Sequence, residues 1–155
     1  MKKMRRVVAG ILAVGMALAL TACGGKEQTV SYRMETEESG MKMTDTMTLT
    51  AKGDKVEKIS ETIDIDTAAL DEEIRTQMNA AYDAMVEQYK AVDGVECTGE
   101  AGDTTYTIKI DIDATGSAVK DLSDKGLLEV SGDANGISLK ATGTALESGG
   151  YSKVE

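Results

Sequence analysis

The 155-residue chain is long enough for one domain, and it contains no His, Pro, Trp or Phe, its only aromatic residues being five Tyr. The lack of His removes the commonest general base, the imidazole dyads and triads, and the usual zinc ligand sets. A formal charge of −10 with so few aromatic rings supplies neither phosphate neutralisation nor base stacking, which excludes nucleic acid as a partner. Apolar residues make up 41% of the chain, so a core forms, built from Leu, Ile, Val, Met and Tyr.

The first 22 residues read as a targeting segment. Lys2, Lys3, Arg5 and Arg6 form a basic start, and the 14 residues from Val7 to Leu20 carry no charge. That run fits the apolar region of a signal peptide and falls short of the ~20 residues a spanning helix needs. Leu20-Thr21-Ala22-Cys23 then reads as a lipobox, with cleavage between Ala22 and Cys23 and lipid attached to the Cys23 thiol. Residues 23–29 are expected to be the lipidated Cys and a short tether, and residues 30–155 a single domain. Removing the four basic residues of the leader leaves 13 Lys and Arg against 27 Asp and Glu, a net of −14. Cys97 is then the only other Cys, and it shares a strand face with Val95, which predicts a buried thiol.

Strand alternation predicts β-structure over residues 30–36, with Val30, Tyr32 and Met34 on one side. A second strand follows, placing Met41, Met43, Met47 and Leu49 opposite a row of Thr. The Lys52-Gly53-Asp54 turn leads into a third strand over residues 55–64. Val56 is out of phase with Ile59 and Ile63 there, so a bulge is expected near Glu57.

From Thr67 the period lengthens to that of an amphipathic helix. Leu70, Ile74, Met78, Tyr82, Met85, Tyr89 and Val92 form its apolar stripe, Asp66 its expected N-cap and Gly94 its stop signal. A hairpin is predicted over residues 95–100 and 104–113, a short helix within 116–125, and a brief strand or turn over 127–130. A last helix is capped by Ser138 and ends near Gly149, and residues 151–155 are extended. Gly143 should weaken that helix by ~1 kcal/mol relative to Ala. The fold class is α+β: an antiparallel sheet with a long amphipathic helix packed on one face, in the order β-β-β-α-β-β, then a short helical C-terminal part.

Two partial calcium-loop patterns occur. One runs through Asp111, Asp113, Thr115 and Gly116, the other through Ser131, Asp133, Asn135 and Gly136. Each lacks the bidentate Glu at its last position, which is Leu122 or Thr142, so no metal is expected at either. The Met residues of the first two strands invite Cu(I), but their alternating placement suits core packing. No catalytic residue and no cofactor emerges. A lipid-anchored, extracytoplasmic, monomeric binding or interaction domain is expected rather than an enzyme, attached to a membrane through its N-terminal lipid, on the outer face of the cytoplasmic membrane or facing the periplasm. A cation-binding accessory lipoprotein, taking Ca²⁺ or Cu⁺, is the alternative. The protein partner is left open.

The chain resembles the small YehR-like bacterial lipoproteins, a domain family of unknown function. The resemblance rests on the lipobox at Cys23, on Gly53-Asp54-Lys55-Val56 leading into Ser60-Glu61-Thr62, on Val92-Asp93-Gly94-Val95-Glu96, on Tyr106-Thr107-Ile108-Lys109-Ile110-Asp111 and on the terminal Gly150-Tyr151-Ser152-Lys153-Val154-Glu155. It implies a compact α+β domain on the membrane and assigns no catalytic residue.

Overall fold

A computed structural model of the chain describes residues 16–17, 25–38, 40–131 and 136–154. Most of the expected leader, including Ala22, and the candidate residues Cys23, Asp133 and Asn135 lie outside the described residues. The strands are β1 (Met16–Ala17), β2 (Glu27–Glu38), β3 (Met41–Lys52), β4 (Lys55–Asp66), β5 (Val95–Ala101), β6 (Thr105–Asp113), β7 (Val130–Ser131) and β8 (Ser152–Val154). Helices α1 (Glu72–Lys90), α2 (Ala118–Asp124) and α3 (Leu139–Ser148) complete the fold.

Six strands form one antiparallel sheet in the order β5-β6-β4-β3-β2-β8, while β1 and β7 make a separate two-residue parallel pair. The β2-β3-β4 meander, the following helix and the β5-β6 hairpin appear in the expected order. β2 begins at Glu27, three residues before the expected strand, so residues 27–29 of the expected tether belong to the sheet. The extended C-terminus joins the sheet as β8, pairing Arg33 with Ser152 and Ser31 with Val154.

One-sided burial follows from the period-2 alternation. Tyr32, Met47, Glu61, Ile110 and Cys97 form one cross-strand row on the covered face. The neighbouring row on the opposite face is Ser31, Thr48, Ser60, Asp111 and Glu96, in which Ser31 and Thr48 share a 2.8 Å hydrogen bond. Thr50 pairs with Lys58 and Ala51 with Val56, leaving Glu57 as an extra residue on β4. This is the expected bulge. It turns Val56 into the core beside Ile59 and Ile63, all three with 0% exposure.

α1 starts later than its sequence suggests. Asp71, not Asp66, is the N-cap, and its Oδ1 accepts a 2.9 Å bond from the Ile74 N–H. Asp66 closes a local turn by accepting from the Ala68 N–H, and the Thr67 N–H donates to the Thr104 carbonyl, which holds residue 67 out of the helix. Leu70 therefore precedes α1, and Ile74 is exposed at its first turn. The buried stripe is Met78, Tyr82, Met85, Val86 and Tyr89, spaced at three, four and one.

α3 packs on the same face of the sheet, against β2. Ser138 caps it as expected, accepting from the Ala141 N–H. Its end is a Schellman turn: Tyr151 N–H donates to Leu146 O and Gly150 N–H to Glu147 O, with Gly150 at φ 101°. Gly143, unfavourable for the isolated helix, is where the Tyr32 ring meets α3. A Cβ at position 143 would lie 2.2 Å from Tyr32 Oη.

Gly143→Ala therefore tests packing against propensity. Helix propensity alone favours the variant by about 1 kcal/mol, whereas overpacking is expected to reverse the sign and destabilise the protein by about 1–2 kcal/mol in urea denaturation. In a Tyr32→Phe background, which removes the nearest atom, the cost of Gly143→Ala should shrink.

Candidate functional site

Two acids lie inside the covered face, at positions where alternation calls for apolar side chains. Asp45 follows Met41 and Met43 on the inner side of β3, and Glu61 lies between Ile59 and Ile63 on β4; they are 2% and 1% exposed. Asp45 pairs with Ile63, so Glu61 is its diagonal neighbour across the two strands, within reach of a long side chain. The two carboxyl groups are near enough for each to influence the other's charge. The Schellman turn of α3 brings in the third member, Tyr151, whose Oη donates to Asp45 Oδ2 at 2.6 Å.

Burial pushes the Asp45 carboxyl up from its usual range, while the hydrogen bond from Tyr151 acts in the opposite direction by favouring its charged form. Tyr151 is itself raised, first by burial and then by the Asp45 charge. Tyr89 closes the group from α1. Its hydroxyl donates to Leu127 O at 2.8 Å, and it is raised by burial and by Glu61. Paired carboxyls can serve as acid and base, but that chemistry needs a substrate within about 3 Å. With 1–2% exposure the pair is sealed beneath the helices and meets no solute.

Cys97 belongs to the Glu61 row and is buried, as its face predicts. Burial pushes its thiol up to about 11, with Lys90 acting against that shift. A thiol held there carries little thiolate at neutral pH and is a poor nucleophile.

On the open face, a hollow of about 490 Å³ is bordered by Glu57, Lys58, Glu96, Asp111 and Asp113. The sequence candidates Asp111 and Asp113 meet here, two residues apart on β6. Their carboxylates are engaged locally. Asp111 Oδ1 is 2.8 Å from Lys58 Nζ and also accepts from Ser60 Oγ. Asp113 Oδ1 accepts from the Thr115 N–H at 2.8 Å and from its hydroxyl at 2.5 Å. The Lys58 and Ser60 bonds hold Asp111 below the usual carboxylate range, and the Thr115 bonds do the same for Asp113. Among the described residues, no three acidic or thiol groups converge in an arrangement that could hold a metal ion. The Met residues split by position: Met41 and Met47 are core, whereas Met34 and Met43 lie partly buried at its margin.

The sealed pair escaped the sequence reading, although its signal was present. Asp45 and Glu61 have the same parity as the buried residues flanking them, and an acid in phase with a hydrophobic face is either buried or contradicts the register.

The arrangement defines a two-layer α+β body with a helix-covered face and an open polar one. Residues 28–152 match the family described as a protein of unknown function, DUF1307, and the chain belongs to that family. It is 28% identical over 155 residues to the uncharacterized lipoprotein Lmo0207 of Listeria monocytogenes, covering 99% of both chains. It is 24% identical over 156 residues to the uncharacterized lipoprotein Lin0239 of Listeria innocua, covering 100% of this chain and 99% of that one. The NMR structure of the E. coli YehR protein matches with a TM-score of 0.57 at 22% identity, covering 84% of this chain and 93% of that chain. The resemblance drawn from the sequence motifs is thus borne out at the level of family and fold.

The buried acids set a pH dependence whose sign can be worked out. A carboxyl raised in the folded state binds more protons than its unfolded counterpart, so its contribution to stability falls as pH rises above 3.8. Asp45→Asn keeps the shape and an acceptor for Tyr151 but removes the charge. It is expected to match the parent near pH 4 and to exceed it at pH 7, with Tm rising by about 4 °C for each kcal/mol gained. Tyr151→Phe should instead lower stability by about 1–3 kcal/mol at pH 7, because it strips a hydrogen bond from a buried carboxyl oxygen. Thermal unfolding of both variants from acid to neutral pH checks the two directions. For Cys97, a thiol reagent at pH 8 should react only on unfolding, with a rate that follows denaturant concentration.

Proposed function

We propose that the protein is a lipid-anchored extracytoplasmic lipoprotein of the cell envelope, attached through Cys23, whose folded body is a binding or interaction domain and not an enzyme. The observation that carries the anchor is where the fold begins. The first strand of the six-stranded sheet starts at Glu27, four residues after Cys23. Cleavage before Cys23 would leave that sheet whole and, among the described residues, remove β1 with its pairing to β7 and its packing on α3. Lipoprotein relatives aligned over 99% of their length support the same reading.

A binding role is favoured over catalysis by the way the titratable groups are used. The raised acid Asp45 and the raised thiol Cys97 are sealed in the core, while Asp111 and Asp113 at the open-face hollow are held by Lys58, Ser60 and Thr115. The Ser- and Thr-rich rows leave a broad face of the sheet uncovered by helices, a surface suited to contact rather than turnover.

Metabolic labelling with a radiolabelled fatty acid tests the anchor. The parent chain should take up label and sediment with membranes, and Cys23→Ser should lose at least ten-fold of the incorporation and keep its leader; equal labelling of the two would overturn the assignment. Calorimetry with Ca²⁺ and Cu⁺ addresses the domain, and saturable heat with either ion would favour a cation-binding accessory role instead.

A further inference from the structure

The point at which the body meets its tether is ringed by lysines. Gly25 lies against the β3–β4 turn so closely that a Cβ on it would come 2.2 Å from Gly53 Cα. The Gly53 N–H donates to Lys26 O, and Gln28 Nε2 donates to Gly53 O at 2.6 Å. α3 starts at the same turn, with the Leu139 N–H donating to Asp54 O and the Lys140 N–H to Asp54 Oδ1. These contacts gather Lys26, Lys52, Lys55 and Lys140 around one turn. None of the four makes an ion pair among the described residues. The acids beside them are Glu27, Asp54 and Glu57; the Asp54 carboxylate is already occupied by Ser138 Oγ and the Lys140 N–H, and Glu57 faces the hollow it shares with Lys58, Glu96, Asp111 and Asp113, to one side of the turn.

The opposite end of the sheet is acidic, with Glu35, Glu37 and Glu38 on β2 and Glu72 and Glu73 at the start of α1. Strands of 12 residues separate the two ends, about 36–40 Å at ~3.3 Å per residue. That is several Debye lengths of ~8–10 Å, so a surface touching the lysine end does not sense the acidic one. Two Cα steps of ~3.8 Å hold Cys23 within about 8 Å of Gly25.

We propose that this lysine-ringed end is a membrane-docking surface, seated on anionic phospholipid headgroups so that the sheet stands upright with its acidic end pointing away. The proposal rests on the Cys23 anchor and adds to it an orientation, by which local charge overrides a net repulsion. Juxtamembrane lysines are attracted to anionic lipid only within a Debye length of the surface, a distance the short tether enforces.

The full lipidated chain, reconstituted in vesicles of phosphatidylcholine alone or with a third of the lipid replaced by phosphatidylglycerol, provides the test. Spin labels at Thr29→Cys, near the lysines, and at Glu37→Cys, at the acidic end, report exposure to a water-soluble paramagnetic relaxant. On anionic vesicles the Thr29 label should lose about two-fold or more of its exposure while the Glu37 label does not change, and high salt should remove the difference. The variant K26Q/K52Q/K55Q/K140Q should float with both vesicles and show no difference between them. Equal exposure of the Thr29 label on the two vesicles, with flotation intact, would overturn the docking surface alone. Failure of the parent chain to float with either would overturn the anchor and the docking surface together.

Discussion

The pairing of β3 with β4 is the constraint on which the remaining elements depend. These two strands occupy the middle of the sheet, and their register of Met47 with Glu61 and Asp45 with Ile63 decides which side chains face the helices. A slip by one residue would expose Met47, Leu49, Ile59 and Ile63 and bury the Thr row. The bulge at Glu57 lets the same strand satisfy two phases, keeping Val56 inside next to a turn that also has to close. That turn is the docking point of α3, since the Val56 N–H bonds Ile137 O and the Leu139 N–H bonds Asp54 O. One hairpin thus fixes the sheet and the start of the last helix, and the end of that helix returns Tyr151 to Asp45 on β3.

The covered face shows what a chain without Phe or Trp does to fill a core. Tyr82, Tyr89 and Tyr106 are among its largest fully buried side chains, and the rings of Tyr82 and Tyr106 stand 5.0 Å apart. Tyrosine brings a hydroxyl that needs a partner when buried. Tyr106 donates to Asp83, Tyr89 to Leu127 O and Tyr151 to Asp45. Each of these three bonds joins segments distant in sequence, so they favour one arrangement of the helices on the sheet. The buried acids belong to the same scheme: a carboxyl in the interior is weak support for stability, but it discriminates between packings that leave it paired and those that do not.

Much of this architecture is legible in sequence because one-sided burial writes itself as alternation. Tyr106, Ile108, Ile110 and Ile112 could only be an inward strand face, and the phase break at Val56 could only be repaired by an extra residue. The errors arose where a long-range bond chose between local options. Asp66 and Asp71 are both reasonable N-caps, and the bond from Thr67 to Thr104, 37 residues away in sequence, decided for Asp71. Strand order is equally non-local: nothing in β5 says that it lies at an edge with β6 between it and β4. For Asp45 the parity was readable, yet its burial depends on a tyrosine 106 residues downstream, which composition and periodicity do not connect.

The same hairpin also fixes where the ladder of β2 begins. Gly25 and Lys26 are held against Gly53 by the backbone bond to Lys26 O and by the close approach of Gly25. Any force between an anchor at Cys23 and the domain would enter through the turn that also seats α3 and opens the central strand pair. Pairing continues along β2 from Glu27 to Glu38 in register with β3, so such a pull loads a twelve-residue antiparallel ladder instead of a frayed terminus. The β1–β7 pair is only two residues long and lies outside the main sheet. The six-stranded sheet therefore uses no residue before Glu27, and its pairing starts two residues after the chain is held at Gly25.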